Sequence, residues 1–436
     1  MIFIQSVKVC LVIRPCGLCK SFDTLSMVVR DELRRRQKTT GFFPNSLQRD
    51  RPFVRVFSRH GFAVEVAFGI MSRKSRWLAS WRNSAKKPIF FHIVSRVVER
   101  RFAFGPEEKE KFRTLMRMQE TFTGCRVVSY CLMCNHFHLL LEVPPMAEGG
   151  LSDEGLLKRL TSIYSEAFVA GVAKELLDAR SADYVAEAGM DEAVAAIHRH
   201  FSYRMHDLGE FMKGLLQRFT QWFNRTQSRT GRLWEDRFKS VIVEDGVAAR
   251  TISAYIDLNP VRAGMVKDPA DYRWSSYGEA IGGGAKGNGK TARAGLVRAL
   301  RAHQGVVAEA DLWANEVSRE YRKLLMSGAI GKTSESVAKD GSLTTNTLRK
   351  GISKQQAEQE RAQDGEIPLG KMLRCRIRYF TDGAVVGSRS FVNEAFTKSR
   401  ERFGAKRKDG ARRMRGAAGA ASGSIWSLRD LRKGVS

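Results

Sequence analysis

Two histidines on either side of one apolar residue are the first feature whose spacing allows chemistry. His136 and His138 lie in the run HFHLLLEV, which has the composition of a β-strand. Side chains two residues apart on a strand point to the same face, so both imidazoles can reach one metal ion while Phe137 faces the core. An arbitrary His-x-His pair is usually a solvated strand face. A second pair, His198 and His200, lies in helix-like sequence where positions two apart do not share a face, and we exclude it.

Tyr255 and Asn259 form a second pair of polar residues that can act together. They are four residues apart on a predicted helix and are therefore neighbours on one face. If the Asn259 carbonyl completes the shell of an ion held by the histidines, Tyr255 lies beside that ion as a nucleophile. A free phenol has a pKa of about 10 and needs activation, which a cation that polarises a phosphate can supply. Tyr203, with Asp207 four residues further on, is better explained as a surface tyrosine.

The elements that must position these residues follow from periodicity and from turn-forming residues. Apolar and β-branched runs predict strands at 89–98, 125–133, 136–143, 237–244 and 373–380. Helices are predicted at 107–121, 152–179, 208–226, 247–258, 292–326 and 391–403. Cys134 and Asn135 form a tight reversal, so the second and third strands pair as a hairpin. Pro260 follows Asn259 and ends the tyrosine helix. The sequence therefore predicts an α+β fold with a mainly helical, basic C-terminal region.

The charge balance points to a polyanionic partner. Lys and Arg number 74 against 46 Asp and Glu, which leaves a net charge of +28. Neutralising phosphates releases condensed counterions, so this excess favours nucleic acid. No run of about 20 apolar residues is present to span a bilayer, and we expect no membrane partner. Seven cysteines without regular spacing, and the lack of a signal-peptide pattern, predict a reducing, cytoplasmic location.

The chain divides into one organised region and its flanks. Residues 1–85 show no sustained helical or strand period, and we expect this extension to be disordered or not native. Residues 86–280 form the main domain, with a helical insertion at 146–205. A Gly-rich linker and a helical segment occupy 281–365, and a small basic module with a Lys- and Arg-rich tail occupies 366–436. We assign no role to either of these last two regions.

Four segments carry a family resemblance. SYCLMCNHFHLL at 129–140 holds the two histidines around a bulky apolar residue, and AYIDLNPVRAG at 254–264 holds the tyrosine pair. GRLWEDRFKS at 231–240 and YRWSSY at 272–277 complete the set. In this order they resemble the single-tyrosine HUH transposases, in the branch called REP-associated tyrosine transposases. The resemblance covers about residues 86–280. One departure is Cys134, where the family often has Pro or Ser.

The resemblance implies a ferredoxin-like domain, an antiparallel sheet with helices whose central strand carries the histidines. It implies Mg²⁺ or Mn²⁺ held by His136, His138 and Asn259, with Tyr255 cutting single-stranded DNA. The product would be a 5′-phosphotyrosine link and a free 3′-hydroxyl, later reversed by strand transfer. Members of the family usually act on hairpin-forming repeats. They occur as monomers and dimers, so a homodimer stays open.

Basic residues near the site in the implied fold are predicted to contact DNA phosphates. They are Arg96, Arg232, Arg237, Lys239 and Arg262. For each of them alone, an ordinary exposed charge is about as good an interpretation. Trp234 has the ring to stack on a base, but a buried core tryptophan is the stronger interpretation.

Three alternatives compete with the transposase interpretation. Cys131 and Cys134 followed by the histidines have the ligand types of a structural zinc module, but not the usual finger spacing. GAKGNGKT at 284–291 formally matches a phosphate-binding loop, but no buried strand precedes it, so we interpret it as a linker. A DNA-binding regulator that kept the scaffold predicts hairpin binding without cleavage. The joint presence of Tyr255, Asn259 and both histidines argues against it.

Overall fold

The computed structural model divides the chain into two units, Met1–Arg76 and Trp77–Ser436. It describes residues 53–57, 63–67, 87–146, 149–181, 187–282, 288–301, 313, 315–329, 332–337, 343–349, 384–413 and 425–428. In the first unit, β1 (Phe53–Phe57) and β2 (Ala63–Ala67) pair as an antiparallel hairpin, which the sequence did not predict. The rest of the 1–85 extension lies outside the described residues, so its disorder stays a prediction.

The second unit begins with the strands and helices that the sequence predicted. The order is β3 (Ile89–Arg96), α1 (Pro106–Thr123), β4 (Arg126–Leu132), β5 (His136–Val143), α2 (Asp153–Leu160), α3 (Glu166–Ser181), α4 (Glu187–Ser202), α5 (Leu208–Thr226), β6 (Lys239–Val243), α6 (Val247–Asp257), α7 (Asn259–Arg262) and α8 (Ser276–Gly282). The single helix predicted at 152–179 is two helices. The hydroxyls of Thr161 and Ser162 donate to the carbonyls of Lys158 and Arg159, which is how such side chains compete with a helix.

One sheet organises the second unit. Seven described strands follow one another in the order β10-β11-β9-β6-β3-β5-β4. Here β9 (Val385–Gly387), β10 (Arg412–Arg413) and β11 (Trp426–Leu428) come from the C-terminal region. The part β6-β3-β5-β4 is antiparallel throughout. Together with α1 and α5, these four strands follow the chain order β-α-β-β-α-β of a ferredoxin-like fold. The predicted α+β class is confirmed, and the strand that carries the histidines, β5, lies inside the sheet between β3 and β4.

Alternating side chains divide the sheet into two apolar faces. Phe91, Ile93 and Phe137 pack in a core with the helices α1 and α5. Phe90 and Leu140 face the other side and pack with α6. Because residues i and i+2 of a strand share a face, the two histidines of β5 lie on the α6 side. The strand pattern therefore brings the histidines and the tyrosine helix to one face of the sheet.

In its described residues the C-terminal region is mainly helical, as predicted, and it also adds strands to this sheet. Its elements are α9 (Asn288–Arg301), α10 (Asn315–Ala329), β7 (Lys332–Val337), β8 (Leu343–Arg349), β9 (Val385–Gly387), α11 (Arg389–Thr397), β10 (Arg412–Arg413) and β11 (Trp426–Leu428). β9 pairs in parallel with β6, and β11 joins β9 to β10. The helix predicted at 292–326 is represented by α9 and α10, and β7 and β8 pair where a polar stretch was expected. The strand predicted at 373–380 lies outside the described residues. None of the helices in the described ranges is long and apolar enough to cross a membrane.

A glycine lets α9 lie directly against β4. A Cβ atom at Gly295 would lie 2.6 Å from the carbonyl oxygen of Val128 and 2.8 Å from that of Val127. We therefore expect Gly295→Ala to lower the free energy of unfolding by about 1–3 kcal/mol, although Ala is the better helix former. At Gly171 in α3 nothing lies within 4 Å, so Gly171→Ala should raise it by up to about 1 kcal/mol. Denaturant unfolding measures both; a Gly295→Ala protein as stable as the parent would contradict this packing.

Candidate active site

The strand pairing places three polar side chains on the face that α6 covers. In the antiparallel register Arg96 lies opposite His136, and Val94 lies opposite His138. Opposite residues share a face, so Arg96 and both histidines point the same way. The ring centroids of His136 and His138 are 5.2 Å apart. Phe137 is fully buried on the other face, as predicted.

A third histidine belongs to this cluster, and the sequence analysis did not find it. His92 on β3 is fully buried, and its Nε2 lies 3.1 Å from Nδ1 of His138. The two rings are stacked with centroids 5.3 Å apart. The signal in the sequence was the four-residue spacing of His92 and Arg96 on one strand, which puts both on one face. A lone histidine in an apolar strand is nevertheless most simply read as a core residue.

Both predicted ligands use their Nδ1 atoms in hydrogen bonds to neighbouring side chains. Asn135 donates from Nδ2 to the Arg100 carbonyl, so its Oδ1 faces His136 Nδ1 at 2.7 Å and must accept from it. His136 then keeps a lone pair on Nε2. When His138 donates from Nδ1 to His92, its Nε2 is likewise an acceptor. Metal-binding histidines are commonly oriented by such a partner on the second ring nitrogen.

Burial keeps the two histidines uncharged. It lowers the pKa of His136 to about 4, with a further contribution from the positive charge of Arg96. Burial also lowers the pKa of His138 well below its usual value, and the neighbouring His92 and His136 act in the same direction. A neutral imidazole is the form that binds a metal ion, so at neutral pH no proton has to be displaced first.

The tyrosine helix brings Tyr255 onto the histidines. Its ring centroid is 5.8 Å from those of His92 and His138, and it meets both rings almost at right angles. The guanidinium of Arg262 lies over the Tyr255 ring at 4.9 Å from its centroid. Only 1% of Tyr255 is exposed. The Tyr255 side chain is therefore almost completely shielded from solvent in this structure.

Asn259 begins the short helix α7, and its side chain is held by the end of the tyrosine helix α6. Its Nδ2 donates to the carbonyls of Tyr255 and Ile256, each at 3.1 Å. Both partners are acceptors, so the amide nitrogen must face them and Oδ1 is left as a potential ligand. Two imidazole nitrogens and one amide oxygen suit a divalent ion such as Mn²⁺. Within the described ranges, no group of three or more His, Cys, Asp or Glu side chains is arranged to hold a metal ion.

A buried carboxylate fixes the other side of the tyrosine helix. Asp257 is fully buried and accepts hydrogen bonds from the Tyr321 hydroxyl at 2.6 Å and from the Tyr277 backbone at 3.0 Å. Burial raises the pKa of Asp257 to about 7, although these hydrogen bonds oppose the change. Tyr321 belongs to α10, so a helix of the C-terminal region holds α6 over the sheet.

The basic residues predicted to bind phosphate fall into two groups. Arg96 lies opposite His136 in the sheet and Arg262 lies over the Tyr255 ring, so both are part of the site itself. Lys239 lies opposite Val94, in the same cross-sheet row as His138. Arg232 and Arg237 are exposed in the loop before β6. That loop is tied to the end of β3, because Val98 donates to the Leu233 carbonyl and Glu235 to the Arg96 carbonyl.

Two competing interpretations lose support from this geometry. The Cys131 thiol lies 3.6 Å from the Met133 sulfur, whereas Cys134 contacts the Lys109 ammonium at 3.9 Å, so the two cysteines have different neighbours. The segment before 284–291 is the helix α8, and Lys290 lies in the first turn of α9, so the strand that a phosphate-binding loop requires is missing there. Trp234 packs against Phe137 and Phe219 in the core, as the stronger interpretation predicted.

Comparison with known proteins connects part of this site to one family. Residues 85–176 match the family model described as IS200-like transposase. The resemblance to single-tyrosine transposases is therefore confirmed over this segment, which contains both histidines and ends before Tyr255. A REP-associated tyrosine transposase solved with a REP hairpin is similar at 13% identity and a TM-score of 0.28, over 50% of this chain and 89% of that chain. No curated protein matches.

Proposed function

We propose that this protein cuts and rejoins single-stranded DNA through a covalent 5′-phosphotyrosine at Tyr255, at hairpin-forming repeats in the cytoplasm. A role as a transposase that acts on DNA is supported by the family match over residues 85–176. The observation that carries the finer proposal is the contact of Tyr255 with His138 and His92, which come from separate strands. The contact is made within one chain, so the proposal needs no exchange of helices between subunits.

The residues of the site divide the work of the reaction. A Mg²⁺ or Mn²⁺ ion bound by His136, His138 and Asn259 would polarise the scissile phosphate. Arg96 and Arg262 provide positive charge for the phosphate oxygens, where charge develops during attack. The Tyr255 oxygen forms a bond to phosphorus while the bond to the 3′ oxygen breaks, which leaves a 3′-hydroxyl. Attack by a 3′-hydroxyl on the phosphotyrosine reverses these bonds and rejoins DNA.

A covalent product is the direct test of this proposal. The full chain is incubated with labelled single-stranded hairpin DNA and Mn²⁺, and the products are separated on a denaturing gel. We expect a protein–DNA adduct that forms with Mn²⁺ and disappears when a chelator is present. Hairpin binding without any adduct, for a range of hairpin sequences, would instead support the DNA-binding regulator.

A further inference from the structure

Phe102 projects into solvent from the loop that follows β3. It is 84% exposed, the largest value for any bulky apolar side chain in the described part of the chain. A single exposed apolar residue is common on soluble proteins and has no meaning alone. The loop that carries this residue, residues 97–104, is called the Phe102 loop below. Its structure is what makes the exposure of Phe102 significant.

The Phe102 loop is anchored on both sides of the exposed ring. Val97 is fully buried, and Phe104 is 3% exposed and packs against the rings of Phe219 and Trp234 at 5.4 and 5.9 Å. Between the anchors, Glu99 and Arg100 have φ angles of 58° and 56°, in the left-handed region that non-glycine residues rarely adopt. Such conformations persist only where the surroundings hold them, and they occur often at ligand sites. The exposed ring is therefore presented by a constrained backbone.

Hydrogen bonds join the Phe102 loop to the turn before the paired histidines. Val97 donates to the Asn135 carbonyl at 2.9 Å, and Phe104 donates to the Cys134 carbonyl at 3.0 Å. The Asn135 side chain donates to the Arg100 carbonyl at 3.0 Å and accepts from His136. One residue thus contacts both the Phe102 loop and a predicted metal ligand, so the loop that carries Phe102 adjoins the turn before His136.

Two exposed arginines directly precede Phe102 in the sequence. Arg100 and Arg101 are exposed immediately before it, and Arg101 pairs with Glu99 at 2.6 Å. Arg96 and Arg232 lie at the neighbouring ends of β3 and of the loop tied to it. An aromatic ring among cations is the combination that binds single-stranded nucleic acid, because the cations hold the backbone and the ring stacks on a base.

We infer that Phe102 stacks on a nucleobase of the single strand beside the scissile phosphate, with Arg96 and Arg100 holding the phosphates. This rests on the proposed function for the identity of the strand. The stacking itself is independent of chemistry at Tyr255. It also predicts little dependence on which base is present, because every base has a face to stack.

The test measures DNA binding without cleavage. The probe is fluorescent oligothymidine of about 16 nucleotides. All variants are made in the Tyr255→Phe protein, which is the parent, and a chelator is present. Fluorescence anisotropy measures the affinity. We expect Phe102→Ala to weaken binding roughly 5- to 150-fold, the loss of one stacked base. Phe102→Trp should restore it. With an abasic strand of equal length, Phe102→Ala and its parent should bind equally.

Phe168→Ala is the matched control, since Phe168 is a 42% exposed phenylalanine in α3 and follows Glu166 rather than arginines. It should bind like the parent. Three results would overturn the inference. Phe102→Ala could bind oligothymidine as tightly as the parent, Phe102→Ala and Phe168→Ala could lose affinity equally, or the parent could fail to bind oligothymidine. Failure of the proposed function gives a different result. The unaltered chain would then form no adduct with DNA, but the affinities of the variants for oligothymidine could still be compared.

Discussion

Replacing Tyr255 with phenylalanine is expected to slow formation of the covalent DNA adduct at least about a thousandfold, since no other group replaces the nucleophile. The change removes only the hydroxyl. The ring that packs edge-on against His92 and His138 remains, so the fold and the position of the helix α6 should be retained. Hairpin affinity without metal should stay nearly unchanged. Adduct yield on a denaturing gel and anisotropy with the same labelled hairpin measure the two quantities.

The matched control is Tyr203→Phe. Tyr203 is 63% exposed and lies in the insertion at 146–205. It is the other tyrosine that the sequence analysis considered as a nucleophile. This variant should form the adduct at the rate of the unaltered protein. An adduct formed by Tyr255→Phe at an undiminished rate would assign the attacking oxygen to another residue and refute the proposed mechanism.

The inner sheet was predictable because its signals are local. Each of β3, β4 and β5 carries a continuous apolar run, and the reversal at Cys134 and Asn135 pairs β4 with β5. The strands added by the C-terminal region carry no such signal. β9 has three residues and β10 has two, which is too short for a period of two to be recognised. Their place depends on a pairing between Val385 and Ile242, far apart in the sequence.

The site was predictable only where its partners are close in sequence. The spacing of His136 and His138, and that of Tyr255 and Asn259, each follow from one element's geometry. That the two pairs approach each other came from the family resemblance. The hydrogen bond between His92 and His138 joins different strands, and no local pattern contains it.

The burial of Tyr255 could not be predicted either, because it depends on which helices cover α6. Residue spacing along α6 shows which side chains share a face, but not how much solvent reaches that face. In the structure α10 is fastened to α6 through Tyr321 and Asp257, and Arg262 lies over the tyrosine ring. The C-terminal region, to which the sequence analysis assigned no role, thus contributes directly to the position of the proposed nucleophile.

His136→Ala is expected to lower the affinity for Mn²⁺ at least about 100-fold. Losing a residue that only hydrogen-bonds a metal ligand already costs up to about 100-fold, and losing the ligand itself should cost at least as much. Adduct formation should fall in parallel. His136 is the better position to change, because it is half-buried, whereas His138 is 3% exposed and its removal would leave His92 without this hydrogen bond. Titration calorimetry with Mn²⁺ gives the affinity, and unfolding in the absence of metal shows that the variant is folded.

His200→Ala provides the comparison. His200 belongs to the other His-x-His pair of the chain, but it is exposed on the helix α4, where residues two apart do not share a face. Its removal should change neither Mn²⁺ affinity nor adduct yield. If His136→Ala bound Mn²⁺ as well as the unaltered protein does, or if His200→Ala were the variant that lost it, the ion would bind elsewhere. His92 and His138 would then serve only to pack the Tyr255 ring.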